Sequence, residues 1–188
     1  LDRQAERTTA SGELALTKAD ATWLGEAVYG PMTDPANGNL LAAPLGIPVF
    51  KDMDVNLKLN AKQFWLGWSN PITDFTSNVA YKGDELQLND MKGNWDGGTV
   101  DANVKFTNAD GTGFLQTKLA LADADLGGVV WQRDGGSPVA GGKFGLALSM
   151  EAAGKAMKDI ARSLNGCVVM KRGDTSVRGI TIGLLALL

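Results

Sequence analysis

Histidine is absent from this 188-residue chain. Without it, neither a Ser-His-Asp nor a Cys-His nucleophile system can be built, and no zinc or haem can be held by imidazole. Cysteine is nearly absent as well. Cys167 stands alone, so it forms no internal disulfide and belongs to no CxxC redox or metal pair. A basic excess is also missing: 18 Lys+Arg against 21 Asp+Glu leave a net charge of −3. No dense Lys/Arg run exists to grip phosphates, so nucleic acid is not an expected partner. No stretch reaches the ~20 apolar residues that span a bilayer. The nearest, residues 180–188, is short and interrupted by Thr181 and Gly183.

What is present is alternation. Met53-Asp54-Val55-Asn56-Leu57-Lys58-Leu59-Asn60 places apolar groups on one side and polar groups on the other, the period of a strand with one wet face. Phe75, Ser77, Val79 and Tyr81 repeat the pattern, then Leu86 and Leu88 after a Gly83-Asp84 turn. That third run reaches Trp95 only by changing phase near Asp90 and Met91, which predicts a β-bulge. Asp96-Gly97-Gly98 turns the chain into Val100, Ala102, Val104 and Phe106. The segment from Asn108 to Gly113 turns it again into Leu115, Thr117, Leu119 and Leu121. Connections this short predict five consecutive antiparallel strands over residues 51–122.

Beyond a glycine-rich loop, Phe144, Leu146, Leu148 and Met150 alternate once more. A helix is expected from about Gly154 to Leu164, where Met157, Ile160, Ala161 and Leu164 form an apolar stripe and Asn165-Gly166 supplies the stop. Two short strands, Cys167–Lys171 and Thr175–Ile182, are expected to follow, joined at Arg172-Gly173-Asp174. Toward the N-terminus, Ser11–Leu16 reads as a strand, and Ala19, Ala21 and Trp23 as another. Residues 31–48 carry four prolines and read as loop. Gly12-Glu13-Leu14-Ala15-Leu16 echoes Gly83 to Leu88, each glycine opening a strand, as in a repeated strand–turn unit. The expected fold is therefore mainly β: an antiparallel meander in a curved, partly open sheet, with one short helix packed on it. Residues 1–188 are read as a single domain, least clear over 1–50.

Catalytic chemistry finds little to stand on. Asp123 and Asp125 form a D-x-D without the ligand series of a calcium loop, and they read as turn carboxylates. No phosphate-binding signature follows the glycine-rich turn at Asn108–Gly113. No enzyme activity, metal or cofactor is expected. Trp65 and Trp68, in Phe64-Trp65-Leu66-Gly67-Trp68, are candidate surface aromatics for lipid headgroups, glycans or a protein, or else parts of a strand buried on both faces. Lys155, Lys158 and Arg162 make a basic helical stripe that suits anionic headgroups or simply a solvated face.

The C-terminal element is the most specific. The stretch from Gly154 through Met157, Ile160 and Ala161 to Ser163-Leu164-Asn165-Gly166, then Val168-Val169-Met170 and Gly173, resembles the C-terminal region of AsmA-family envelope proteins. Gly83-Asp84-Glu85-Leu86-Gln87-Leu88, leading to Trp95-Asp96-Gly97-Gly98-Thr99-Val100, is similar to that family's Gly-x-x-Leu-x-Leu strand before a Gly-Gly turn. Asp123-Ala124-Asp125-Leu126-Gly127 sits where members often carry a short aspartate–leucine segment. Cys167 and Arg172-Gly173 depart from the pattern, and the proline-rich region before residue 50 matches nothing in it. The resemblance covers about residues 50–188.

It implies a periplasmic, β-rich piece of a Gram-negative envelope protein, fixed to the inner membrane through a segment outside this chain. The implied role is outer-membrane assembly and maintenance, including transport of phospholipid along an apolar sheet face. Phospholipid and envelope proteins are the implied partners. Val79, Tyr81, Leu86, Leu88, Val100, Val104, Phe106, Leu119 and Leu121 either line such a face or form the core under the helix. A periplasmic scaffold that binds proteins without lipid, and a glycan-binding domain using Trp65 and Trp68, are the competing expectations.

Overall fold

A computed structural model describes residues 7–48, 50, 52–67, 70–125 and 140–177. In chain order the elements are β1 (Thr8–Asp20), α1 (Ala21–Tyr29), β2 (Met53–Trp65), β3 (Ile72–Lys82), β4 (Glu85–Trp95), β5 (Gly98–Ala109), β6 (Thr112–Asp125), β7 (Ala140–Gly154), α2 (Met157–Arg162) and β8 (Asn165–Val177). All eight strands lie in one sheet in sequence order, and the sheet does not close: β1 and β8 are its edges. From β2 onward the pairing is antiparallel, as the alternation predicts, and β2 to β6 are the five expected strands.

The hairpins have the chemistry their turns demand. Asp96 and Gly97 both have positive φ between the paired Trp95 and Gly98, and Asp110 and Gly111 do the same between Ala109 and Thr112. That is the type I′ pattern, whose twist matches the strands it joins.

Bulges then tune the sheet. Asn89 and Asp90 together face Asn103, and Asp90 takes a φ of 51° while its N–H donates to Asn103 Oδ1 at 3.0 Å. The phase change at Asp90 and Met91 is therefore a bulge. It restores Met91 to the same buried side as Leu86 and Leu88. Two further aspartates with positive φ, Asp74 in β3 and Asp123 in β6, sit at equivalent register shifts. Aspartate tolerates this backbone better than most residues because its short side chain can bond locally.

Several expectations need correction. Ala21 and Trp23 lie in a helix, not a strand. Asp20 caps α1 by accepting from the Trp23 N–H at 2.6 Å, and Ala21, Leu24, Gly25, Val28 and Tyr29 form the helical stripe. Because α1 and the connection that follows it carry the chain back across the sheet, β1 pairs with β2 in parallel, an exception to the meander.

The C-terminal helix is shorter than expected. β7 remains paired with β6 as far as Gly154, and Ser163 ends α2 through hydroxyl bonds with the Ala153 N–H and carbonyl and the Ile160 carbonyl. Asn165-Gly166 instead opens β8. A side chain at Gly166 would collide with the Ser149 carbonyl, 2.1 Å from where its Cβ would stand. The two expected strands that follow are one: Gly173-Asp174 forms a bulge opposite Lys143 and not a turn, and residues 178–182 lie outside the described residues. Gly12 is inside β1, so its echo of Gly83 marks no repeated unit.

Candidate functional site

Register brings the nine sequence-predicted apolar residues onto one face. Val79 pairs with Leu88, Leu88 with Val104, Tyr81 with Leu86, and Leu86 with Phe106. Val100 pairs with Leu121, and Leu119 neighbours Val100's strand through Ala102. Eight of the nine are buried, and Val104 is half-buried against them. Most of this face is the core, as one of the two sequence readings holds.

Two features of the cover were not anticipated. The first is α1, which seats Tyr29 on the sheet at 2% exposure. Its ring meets Phe106 edge-on at 4.8 Å, and its hydroxyl lies 3.1 Å from the Asp84 carbonyl and 3.2 Å from that of Phe106. Burial pushes the Tyr29 phenol well above its ordinary range, so it serves as a donor and is no proton source near neutrality. The second is the strap of residues 30–48. Glu26 ties it to α1, its Oε1 accepting from the Met32 N–H at 3.0 Å, the Thr33 N–H at 3.2 Å and the Thr33 hydroxyl at 3.0 Å. The Met32 amide is the main reason the Glu26 carboxyl sits below its usual range. Farther along, the Leu45 N–H donates to Lys155 and the Asn108 amide to Gly46. The Asp20 cap followed by the 21-24-25-28-29 stripe was the sequence signal for α1.

The cover is incomplete. Beyond it the apolar rows continue from Leu121 to Leu146 to Met170, and from Leu119 to Leu148 to Val168. Leu146 and Leu148 are half-buried, whereas Val168 and Met170 are 60% and 67% exposed. Val169, on the other side of β8, is 50% exposed. The same side of the sheet thus passes from core at β6 to open apolar surface at β8 across two strand spacings of about 4.8 Å each.

A separate apolar cavity of about 250 Å³ lies between α1, the strap and the sheet. Other hollows are more open and carry charged or polar side chains among their lining. One at the sheet end is lined by Asp52, Asp84, Asn108 and Asp110, and one on the outer face by Asp101, Lys118, Ser149 and Cys167. Among the described residues, no three His, Cys, Asp or Glu side chains are grouped to hold a metal ion. Asp123 and Asp125 end β6, at a bulge and an edge of pairing, not in a turn.

Trp65 is half-buried, on the strand side opposite Phe64; Trp68 lies outside the described residues. Phe64 itself is fully buried and stacked on Phe75 with ring centroids 3.9 Å apart. Lys155, Lys158 and Arg162 are exposed around α2, while Met157 and Ile160 turn inward. No described helix is long and apolar enough to cross a membrane. Comparison with family models, curated proteins and solved structures finds no match.

Proposed function

We propose that this chain is a non-enzymatic domain of the Gram-negative cell envelope that holds phospholipid hydrocarbon against the apolar face of its open sheet. The observation that carries the reading is the continuation of the core face, without interruption, onto the exposed Val168 and Met170 of β8. Water in contact with such a surface is replaced favourably by acyl chain, at about 0.8 kcal/mol per CH₂ buried. Nothing in that exchange needs a proton donor, a nucleophile or a cofactor. The resemblance to AsmA-family proteins supports a periplasmic place, anchorage to the inner membrane by a segment outside this chain, and a part in outer-membrane assembly and maintenance.

A second reading has its own observation. β8 exposes apolar side chains on both faces and is an edge of the sheet among the described residues, and such an edge suits a strand from an envelope protein. One experiment separates the two. Photo-crosslinkers placed at Val168 and Met170 are activated in cells, and the adducts are resolved by mass spectrometry. Phospholipid adducts, with phospholipid retained through purification, are the expected result. Protein adducts alone overturn lipid binding in favour of the scaffold.

A further inference from the structure

We infer that the cavity beneath α1 is a second, recessed hydrocarbon site that admits the methyl end of a single acyl chain. The inference takes its class of ligand from the reading above, but its site is distinct from the open face at β8.

The floor is the sheet core: Phe64, Leu88, Met91 and Phe106, all buried. Leu24 and Tyr29 of α1 form the roof. Its walls come from Met32 of the strap and Met157 of α2. The lining also includes exposed residues, Ala21 and Thr22 where α1 begins and Leu40 of the strap, and we assign the mouth to the start of α1.

Size and chemistry choose the occupant. A volume of about 250 Å³ is roughly eight water-sized units, and an apolar cavity of ~150 Å³ already stays dry and takes up benzene. The space therefore fits a hydrocarbon segment of several carbons and is too small for a whole lipid. The lining contains no charged side chain, and its polar members, Thr22, Thr33 and the Tyr29 hydroxyl, lie at the mouth or are already bonded. A headgroup inside would lose its hydration without replacement, so the chain enters methyl end first and leaves its polar end at Thr22. Three of the six methionines border the cavity, Met32, Met91 and Met157. Their unbranched, adaptable side chains let the walls follow chains of differing shape.

The test uses the full chain and a long-chain fatty acid bearing a diazirine at its methyl end, with adducts mapped to peptides by mass spectrometry. Adducts are expected on Met91 or on the peptides that carry Met32 and Met157, alongside adducts at Val168 and Met170. Ala21→Trp places bulk at the exposed mouth and is expected to cut cavity labelling by about tenfold, a difference of ~1.4 kcal/mol. Labelling at β8 should be unchanged, as should the circular dichroism spectrum, and Ala21→Ser should label as the parent does. Adducts confined to β8 overturn the cavity site and leave the open-face reading standing. Adducts confined to the cavity do the reverse, and adducts at neither place overturn both. Cavity labelling that persists in Ala21→Trp overturns the assignment of the mouth.

Discussion

Tyr29 shows how one side chain can hold a helix to a sheet. It brings ring packing on Phe106 and a hydroxyl shared between the carbonyl of Asp84, in the turn before β4, and that of Phe106 in β5. Tyr29→Phe keeps the ring and removes the hydroxyl, and should cost about 1 kcal/mol in denaturant unfolding. Its pH signature is specific. The folded phenol keeps its proton to higher pH than the unfolded one, so its share of stability is intact below the ordinary value near 10 and drains away as pH rises above it. Melting temperatures followed above pH 10 should therefore fall less steeply in Tyr29→Phe than in the parent. Tyr81, also raised by burial, keeps part of the slope in both proteins.

At the scale of the element, the bulges keep a long strand in phase with its neighbours. Without the extra residue at Asp90, Met91 would turn to solvent and a polar neighbour would enter the core, since a slip of one residue inverts every side chain after it. The cost is a left-handed backbone at Asp90, about 1–2 kcal/mol for a residue with a full Cβ penalty. Asp90→Gly should be close to neutral in thermal unfolding, because glycine removes that penalty even as the Asn78 amide bond to the carboxylate is lost. Asp90→Val should be destabilising by roughly 1–2 kcal/mol, since a β-branched residue suits this conformation worst. Equal stability of the two variants would show that the bulge does not depend on this backbone.

Considered whole, the molecule is a sheet stabilised from its middle. The helix and strap cover the central strands, and cover thins toward β8, whose side chains from Asn165 to Lys171 are all exposed. Native-state hydrogen exchange should follow that gradient, with the slowest amides in β3 to β5 and the fastest among described strands in β8. Saturating phospholipid should slow exchange in β7 and β8 selectively if hydrocarbon lies where proposed. Uniform protection across all strands, with or without lipid, would contradict the gradient and its cause.

Much of this was legible in the residues. Strands β2 to β6 are local objects: each alternation spans one segment, each Asp-Gly turn carries its own backbone requirement, and the frame shift at Asp90 is visible within a single run. The sequence by itself also determined which residues share a face, because period-two patterning and short turns leave little choice of register. It excluded chemistry that needs histidine. Tertiary structure decided what each apolar face meets. The helix at Ala21–Tyr29 was signalled by Asp20 and its stripe, yet the parallel pairing of β1 depends on a return path between α1 and β2 that has no local signature. Whether Val100 becomes core and Met170 open surface is likewise not written in either residue. Both occupy the same row of the same face, Val100 in the middle of the sheet and Met170 in its edge strand. Burial is a property of what lies opposite, and a pattern along one strand carries no record of it.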